Sequence, residues 1–477
     1  MKKLFVVMCL VVCVVVSGVF TGCETANQGG ENTPTAVATP EPTPVPTPTP
    51  YVPKTIEELW NKIDETMGAA ESYRLKSSML MKYFYEEQEL VSETEVEDIF
   101  SSKDGNKYSF SKGKVHIVYK EADYTQDSEQ IRAYYDGKMY YGSIFNGLKQ
   151  RFCSKMSYDE YVVARDNSPL DDSVYLDCTK KEFAQNDDGT WQIKLSGYTG
   201  KAIAAFLEDS GTSEKELGSK VLDIELNILV DGDFYEKKSE MRAVFENSEK
   251  AQLEVFGEYF DINATEPNTA DLKTSEYVEV ADVRVLDNVS EAIKNLEKAK
   301  KAKFTYEVTQ KLELKSGTSS YNEKDVTTFG VENGKYYYDI DITSSNGNGT
   351  IKYRNGIYEV VGTSNKYQQS EDEAKDFIAS LIDGPNYNSL LVSEIKKTGE
   401  NTFELKIGQP VETGVKNVFD QIQCEITKIE QTIKVTFEGE NIKKIESALV
   451  AKGDGLKYGS ATLKLETKLT VNEATYN

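Results

Sequence analysis

From Thr55 to its end the chain runs through one ordered pattern of elements twice, and this internal repeat limits its fold more than any other feature. Self-similarity at a long period means that one architecture is built and then built again. The first copy opens on Thr55 with Glu58 three residues later, the reciprocal capping signature of a helix start. Ile56, Leu59, Trp60, Ile63 and Met67 follow at helical spacing. The second copy places Ser290 ahead of Ala292, Ile293, Leu296 and Ala299. Each helix leads into a strand of alternating apolar residues: Tyr73, Leu75, Met79 and Met81 in one, Phe304, Tyr306, Val308, Leu312 and Leu314 in the other.

The matches continue in order. Asn106-Lys107-Tyr108 aligns with Gly334-Lys335-Tyr336, and the turn Tyr135-Asp136-Gly137-Lys138 with Arg354-Asn355-Gly356-Ile357. Asp-Gly and Asn-Gly are the favoured two-residue hairpin turns. Ser157 with Glu160, and Ser370 with Glu373, each cap a second helix. Strands opening at Trp191 and Phe403 follow, then short amphipathic segments (Ile203, Phe206, Leu207; Val415, Val418, Phe419). Long strands then flank Asp231-Gly232-Asp233 and Glu438-Gly439-Glu440. The offset between copies drifts from 231 residues (Tyr73 to Phe304) to 207 (Gly232 to Gly439), as loop shortening in the second copy would give. Domain one is read as 55–268, a connecting segment as 269–288 and domain two as 289–477, each large enough to bury its own core. The element order predicts an α+β class, with helices on one face of a strongly twisted antiparallel sheet in each domain.

Ahead of the repeat stands a tether. Eight of the twelve prolines fall between Pro34 and Pro53, mostly alternating with Thr. Proline fixes φ, so residues 23–54 form a semi-rigid polyproline spacer reaching some ~60 Å. Residues 1–22 have the parts of an export signal: Lys2 and Lys3, an apolar run from Leu4 to Val19, and then Phe20-Thr21-Gly22-Cys23. That last tetrad resembles the lipobox of bacterial lipoproteins, with Phe20 in place of the usual Leu. The resemblance implies cleavage before Cys23, a diacylglyceryl group on its thiol, and attachment to the extracytoplasmic side of the cell membrane. Two acyl chains hold a protein on a bilayer far better than one. No later stretch reaches ~20 apolar residues, so the remainder is expected to be soluble. The chain carries a net charge of −24, and losing Lys2 and Lys3 makes the mature form more acidic, which disfavours nucleic acid as a partner.

The order of elements behind a lipobox and tether resembles the LolA/LppX/LprG-like lipoproteins, and equally the broad sets of Gram-positive lipoproteins with that plan. The resemblance implies a curved half-barrel wrapped around helices, with an apolar cavity that takes acyl chains. Leu75, Met79, Met81 and Tyr83 on the first strand are the candidate lining, since methionine adapts to varied apolar ligands. The same residues also serve as plain core under a helix layer. The functional expectation is a monomeric, membrane-anchored lipoprotein that binds or carries a lipid or other apolar ligand. The alternative is a non-enzymatic envelope module docking a protein or polymer through tyrosine-rich strands such as Tyr134-Tyr135, Tyr140-Tyr141 and Tyr336-Tyr337-Tyr338.

Catalytic signatures are sparse. A lone His116 gives no zinc site and no serine or cysteine triad, and phosphate-cradling glycine loops are missing. Asp231-Gly232-Asp233 and Asp187-Asp188-Gly189 read as turns rather than calcium loops, and Asp339 with Asp341 as a solvated strand face. No cofactor and no metal are expected. After processing only Cys153, Cys178 and Cys424 remain, an odd set that reads as free thiols, although Cys153 and Cys178 are able to pair.

Overall fold

A computed structural model describes residues 51–476, apart from 86–87, 103–106, 121–123, 146, 166–171, 211, 266–271, 383–386, 409–412 and 456–458. The signal segment, Cys23 and the tether up to residue 50 lie outside the described residues. One-turn helices aside, the first half runs α1 (Ile56–Gly68), β1 (Ser72–Tyr85), β2 (Gln88–Ser101), β3 (Tyr108–Tyr119), β4 (Tyr124–Tyr135), β5 (Lys138–Phe145) and β6 (Leu148–Lys155). It continues through α2 (Tyr158–Arg165), β7 (Cys178–Gln185), β8 (Trp191–Tyr198), α3 (Gly200–Asp209), β9 (Val221–Val230), β10 (Glu236–Phe245) and β11 (Gln252–Phe260). After the short β12 (Val278–Glu279) come α4 (Val285–Glu297), β13 (Lys301–Leu314), β14 (Gly317–Glu332), β15 (Lys335–Ser344) and β16 (Gly347–Arg354). Then follow β17 (Ile357–Val360), β18 (Lys366–Gln368), α5 (Glu371–Ile382), β19 (Val392–Gly399) and β20 (Thr402–Ile407). The series ends with α6 (Thr413–Gln421), β21 (Glu425–Glu438), β22 (Asn441–Gly455) and β23 (Gly459–Thr475).

These strands make two large sheets. One has twelve strands in the order β12–β6–β5–β4–β3–β2–β1–β11–β10–β9–β8–β7, and the other eleven in the order β18–β17–β16–β15–β14–β13–β23–β22–β21–β20–β19. Leaving β12 aside, the two orders agree strand for strand. The described residues divide into two compact units, 51–139 with Met156–Ser275, and Tyr140–Lys155 with 276–476. Among the described residues no helix is long and apolar enough to cross a membrane.

The expected α+β class, with helix-packed half-barrels, is corrected by this architecture. Among the described residues strand accounts for 60% and helix for 19%, so the described part of the protein is mainly β. The physical reason lies in strand length. Charged residues at alternate positions, such as Glu93, Glu95 and Glu97 on β2, give each strand a wet face and let it run on for up to 17 residues. The helices stay short, at 8 to 13 residues, and are appendages to the sheets rather than a layer of equal weight.

Local signals fixed many boundaries. The Glu58 amide donates to Thr55 Oγ1 at 3.1 Å. Ser157 and Glu160 bond reciprocally at 2.9 and 3.2 Å, and Ser370 and Glu373 at 2.7 and 3.2 Å, which satisfies amides that a helix start leaves orphaned. Asp136 and Gly137 sit at φ 49° and 69°, and Asn355 and Gly356 at 54° and 78°, the left-handed pair that a tight hairpin needs. The second copy's first helix begins at Val285 rather than Ser290, with no side-chain cap at Arg284, because Val285, Leu286 and Val289 extend its buried stripe.

Walking the ladders inward from the two matching turns aligns Tyr134–Ser109–Phe100–Tyr73 with Tyr353–Tyr338–Phe329–Ala302. Leu75, not Tyr73, therefore occupies the place of Phe304, and the offset at the first strand is 229. A two-residue slip leaves every side chain on its face, so alternation alone is blind to it.

Candidate functional site

The four residues expected to line an apolar cavity are core residues. Leu75, Met79, Met81 and Tyr83 are 2%, 4%, 0% and 2% exposed. Met79 lies opposite Val255 on one side and Thr94 on the other, and Met81 opposite Leu253 and Ser92. Most of the singled-out tyrosines are also interior: Tyr134, Tyr140, Tyr141, Tyr336 and Tyr338 are all buried. Tyr337 instead carries the Arg354 guanidinium 4.3 Å above its ring.

The remaining sequence candidates are placed as follows. His116 faces solvent on β3, its Nδ1 2.8 Å from Asp127 Oδ1. Asp231 and Asp188 accept backbone amides two residues on and so close their turns. Asp339 is ion-paired with Arg354, and Asp341 accepts from Thr350 Oγ1 at 3.0 Å. Among the described residues Cys153, Cys178 and Cys424 form no disulfide; Cys153 and Cys424 are buried, and burial pushes the half-buried Cys178 thiol up from its ordinary value. Among the described residues no group of three or more His, Cys, Asp or Glu side chains is poised to hold a metal.

Two arrangements escape a strand-by-strand reading, and both lie in the second unit. The first is an aromatic row. Phe329, Tyr338, Tyr353, Tyr358 and Tyr367 stand directly opposite one another on the successive strands β14 to β18. Tyr338 stacks on Tyr353 at 5.4 Å and Tyr358 on Tyr367 at 4.5 Å between ring centres. The row starts in the core, with Phe329 and Tyr338 fully buried, and surfaces at the sheet edge, where Tyr367 is 54% exposed. Burial raises the Tyr338 and Tyr358 phenols, so both remain neutral hydrogen-bonding groups.

The second is a hollow of about 740 Å³ whose lining comes from β13–β15 and β20–β23. Across it runs a row of alternating charge. Glu404, Lys434, Glu446, Lys468, Glu307 and Lys324 each lie directly opposite the next on β20, β21, β22, β23, β13 and β14. Strand alternation puts every one of them on the polar face. Glu307 pairs with Lys468 at 2.8 Å and with Lys324 at 3.5 Å. The Lys468 hydrogen bond holds the Glu307 carboxyl below the usual range, and reciprocally raises the Lys468 ammonium. Glu446 is engaged by Lys444 at 2.6 Å. Among the described residues Glu323, Glu404, Lys434 and Glu466 form no ion pair, so the hollow keeps three carboxylates and one ammonium outside ion pairs, Glu323 accepting instead from the Tyr321 hydroxyl. Thr309, Asn322, Thr343, Ser345 and Thr432 add hydroxyl and amide groups around them. Most lining side chains carry polar or charged tips on aliphatic stems, which suits a ligand with hydrogen-bonding groups, charge and some apolar surface.

Fold and hollow together define a mainly-β chain of two like-ordered sheets with a charged hollow on the second. No protein-family profile and no curated protein matches the chain. Solved structures show faint likenesses. A DUF3598-family protein of unknown function from Nostoc punctiforme has 7% identity, over 83% of this chain and 95% of that one, with a TM-score of 0.12. A putative AttH from Nitrosomonas europaea has 9% identity over 82% and 92%, with a TM-score of 0.08. The translocator domain of the autotransporter NalP from Neisseria meningitidis has 6% identity over 87% and 93%, with a TM-score of 0.11. TM-scores this low carry no argument about fold or activity.

Proposed function

We propose that the chain is a lipid-anchored, non-enzymatic binding module on the extracytoplasmic side of the membrane, taking a polar, amine-bearing ligand or polymer in the hollow of the second sheet. The observation that carries this reading is the hollow itself. Its volume of about 740 Å³ falls within the range of ligand sites, and its lining is charged. Glu404 and Glu466 favour a cationic group, and Lys434 a neighbouring carboxylate or phosphate. A variable apolar cargo would instead need Leu75, Met79, Met81 and Tyr83 to border free space, and their burial favours the polar reading. The lipobox-like Phe20-Thr21-Gly22-Cys23 supports the anchor.

The test is retention of envelope polysaccharide and peptide fractions on immobilised mature protein. Salt-sensitive retention that falls at least ~10-fold in a Glu404→Gln, Lys434→Gln, Glu466→Gln triple variant supports the site. Unchanged retention, or an acyl ligand co-purifying with the protein, removes it. Mass spectrometry of the N-terminal peptide checks the anchor separately, through a diacylglyceryl group on Cys23. The exposed Tyr358–Tyr367 stack supports a second reading, an aromatic platform at the sheet edge, which Tyr367→Ala tests through loss of the same retention.

A further inference from the structure

Tyrosine pairs recur through the protein, and one of them differs in geometry and in access. Tyr358 on β17 and Tyr367 on β18 stand directly opposite one another, with ring centres 4.5 Å apart and planes inclined by 21°. Tyr134 with Tyr158, at 5.2 Å and 72°, and Tyr140 with Tyr277, at 5.2 Å and 88°, meet edge to face instead. Tyr338 and Tyr353 stack at 5.4 Å and 19°, but they are 0% and 3% exposed. Tyr367 is 54% exposed and Tyr358 half-buried, so of these pairs theirs alone combines face-to-face contact with access from solvent.

The hairpin holds the two rings in place. On one side of the pair the Gln369 amide donates to the Gly356 carbonyl at 3.0 Å, and on the other the Val360 amide donates to the Asn365 carbonyl at 3.0 Å. Lys366 and Glu359, the next residues opposite one another, form an ion pair at 2.8 Å. In the turn the Thr363 hydroxyl donates to the Val360 carbonyl at 2.8 Å and accepts from the Asn365 amide at 3.1 Å. Reacting groups held in contact combine without the entropy cost of an encounter. We propose that Tyr358 and Tyr367 form an oxidative modification site, at which a haem peroxidase using hydrogen peroxide joins the two rings as a dityrosine. Each phenol gives up one electron and its hydroxyl proton, and the two radicals couple through the ring carbons beside their oxygens. Each of those carbons then passes its hydrogen to the oxygen of its own ring, which restores both phenols. The two electrons and two protons reduce one hydrogen peroxide to two waters. The new carbon–carbon bond staples the three-residue edge strand β18 to β17. The site is independent of what the charged hollow binds.

The test treats the full mature chain, at low concentration, with a haem peroxidase and hydrogen peroxide, and reads dityrosine fluorescence and the masses of tryptic fragments. Cleavage after Lys366 puts Tyr358 and Tyr367 on separate peptides, so a link appears as joined fragments two hydrogens lighter than their sum. The expected product is a monomeric chain carrying that link, although 29 tyrosines compete for the oxidant. Tyr358→Phe and Tyr367→Phe keep the stacked rings and each abolish the joined fragment, whereas Tyr353→Phe leaves its yield unchanged. Oxidation in urea, with the hairpin unfolded, removes the preference for this pair. The proposal is overturned if the native chain is oxidised with these two peptides unlinked, if the joined fragment persists in Tyr367→Phe, or if the main product links two chains or a different pair of tyrosines.

Discussion

Replacing Glu236 with Gln should stabilise the first unit above pH 7 and flatten its response to pH. Glu236 starts β10, its Oε1 is buried without a partner, and burial raises its carboxyl to about 7 against an ordinary 4.5, with the Ser239 hydroxyl opposing the rise. The folded chain therefore keeps a proton that the unfolded chain releases between pH 4.5 and 7. The stabilisation is fully present below pH 4.5, is lost as pH climbs through 7, and changes no further above that. Moving the titration from 4.5 to about 7 corresponds to a loss of up to about 3 kcal/mol. Gln resembles the protonated acid in shape and neutrality, and so should recover most of that amount at pH 8 and little at pH 4.5. Urea unfolding followed by tryptophan fluorescence isolates the effect, since Trp60 and Trp191, the only tryptophans, both belong to the first unit. The reasoning fails if the variant and the native chain keep parallel stability curves from pH 5 to 8, or if the variant is the weaker at pH 8.

Other outcomes follow from the same structure. Asp325 on β14 is 6% exposed with Oδ1 unpartnered, and burial lifts it to about 6 from 3.8, so Asp325→Asn should stabilise the second unit above pH 6 and not below pH 3.8, as measured by pH-dependent melting. Ser370→Ala removes one side of a reciprocal cap on α5 and should cost about 1 kcal/mol in denaturant unfolding. Tyr338→Ala, in the buried middle of the aromatic row, should cost about 3–5 kcal/mol. Lys468→Met should shift stability by less than ~1 kcal/mol, because its pair with Glu307 is partly exposed, while still weakening any salt-sensitive ligand retention.

What the sequence made legible was local. Capping pairs three residues apart and the Asp136-Gly137 and Asn355-Gly356 turns each carry their own physical reason, and the structure places them where the pattern put them. The class of fold was misjudged because helix signals are compact and conspicuous, whereas alternation extended over 14 to 17 residues looks like any shorter strand. The apolar stripe of β1 was visible, but alternation is the same for a packed core and for a cavity wall, so Leu75 and Met81 could not be told apart from a lining. The hollow was hidden for a different reason. Glu307 and Lys468 are 161 residues apart, and only the strand order that sets β23 beside β13 turns scattered charges into a row. The aromatic row was half visible, as Tyr336-Tyr337-Tyr338, yet its exposed end at Tyr358 and Tyr367 depends on pairings along β16 to β18.

Backbone NMR shift mapping of the mature chain, titrated with an envelope fraction that it retains, bears most directly on the proposed site. Perturbations should gather on Glu307, Glu404, Lys434 and Glu466 and fade as salt rises. Perturbations centred instead on Leu75, Met79 and Met81, persisting at high salt, would show that the ligand is apolar and that the charged hollow is only a wetted face.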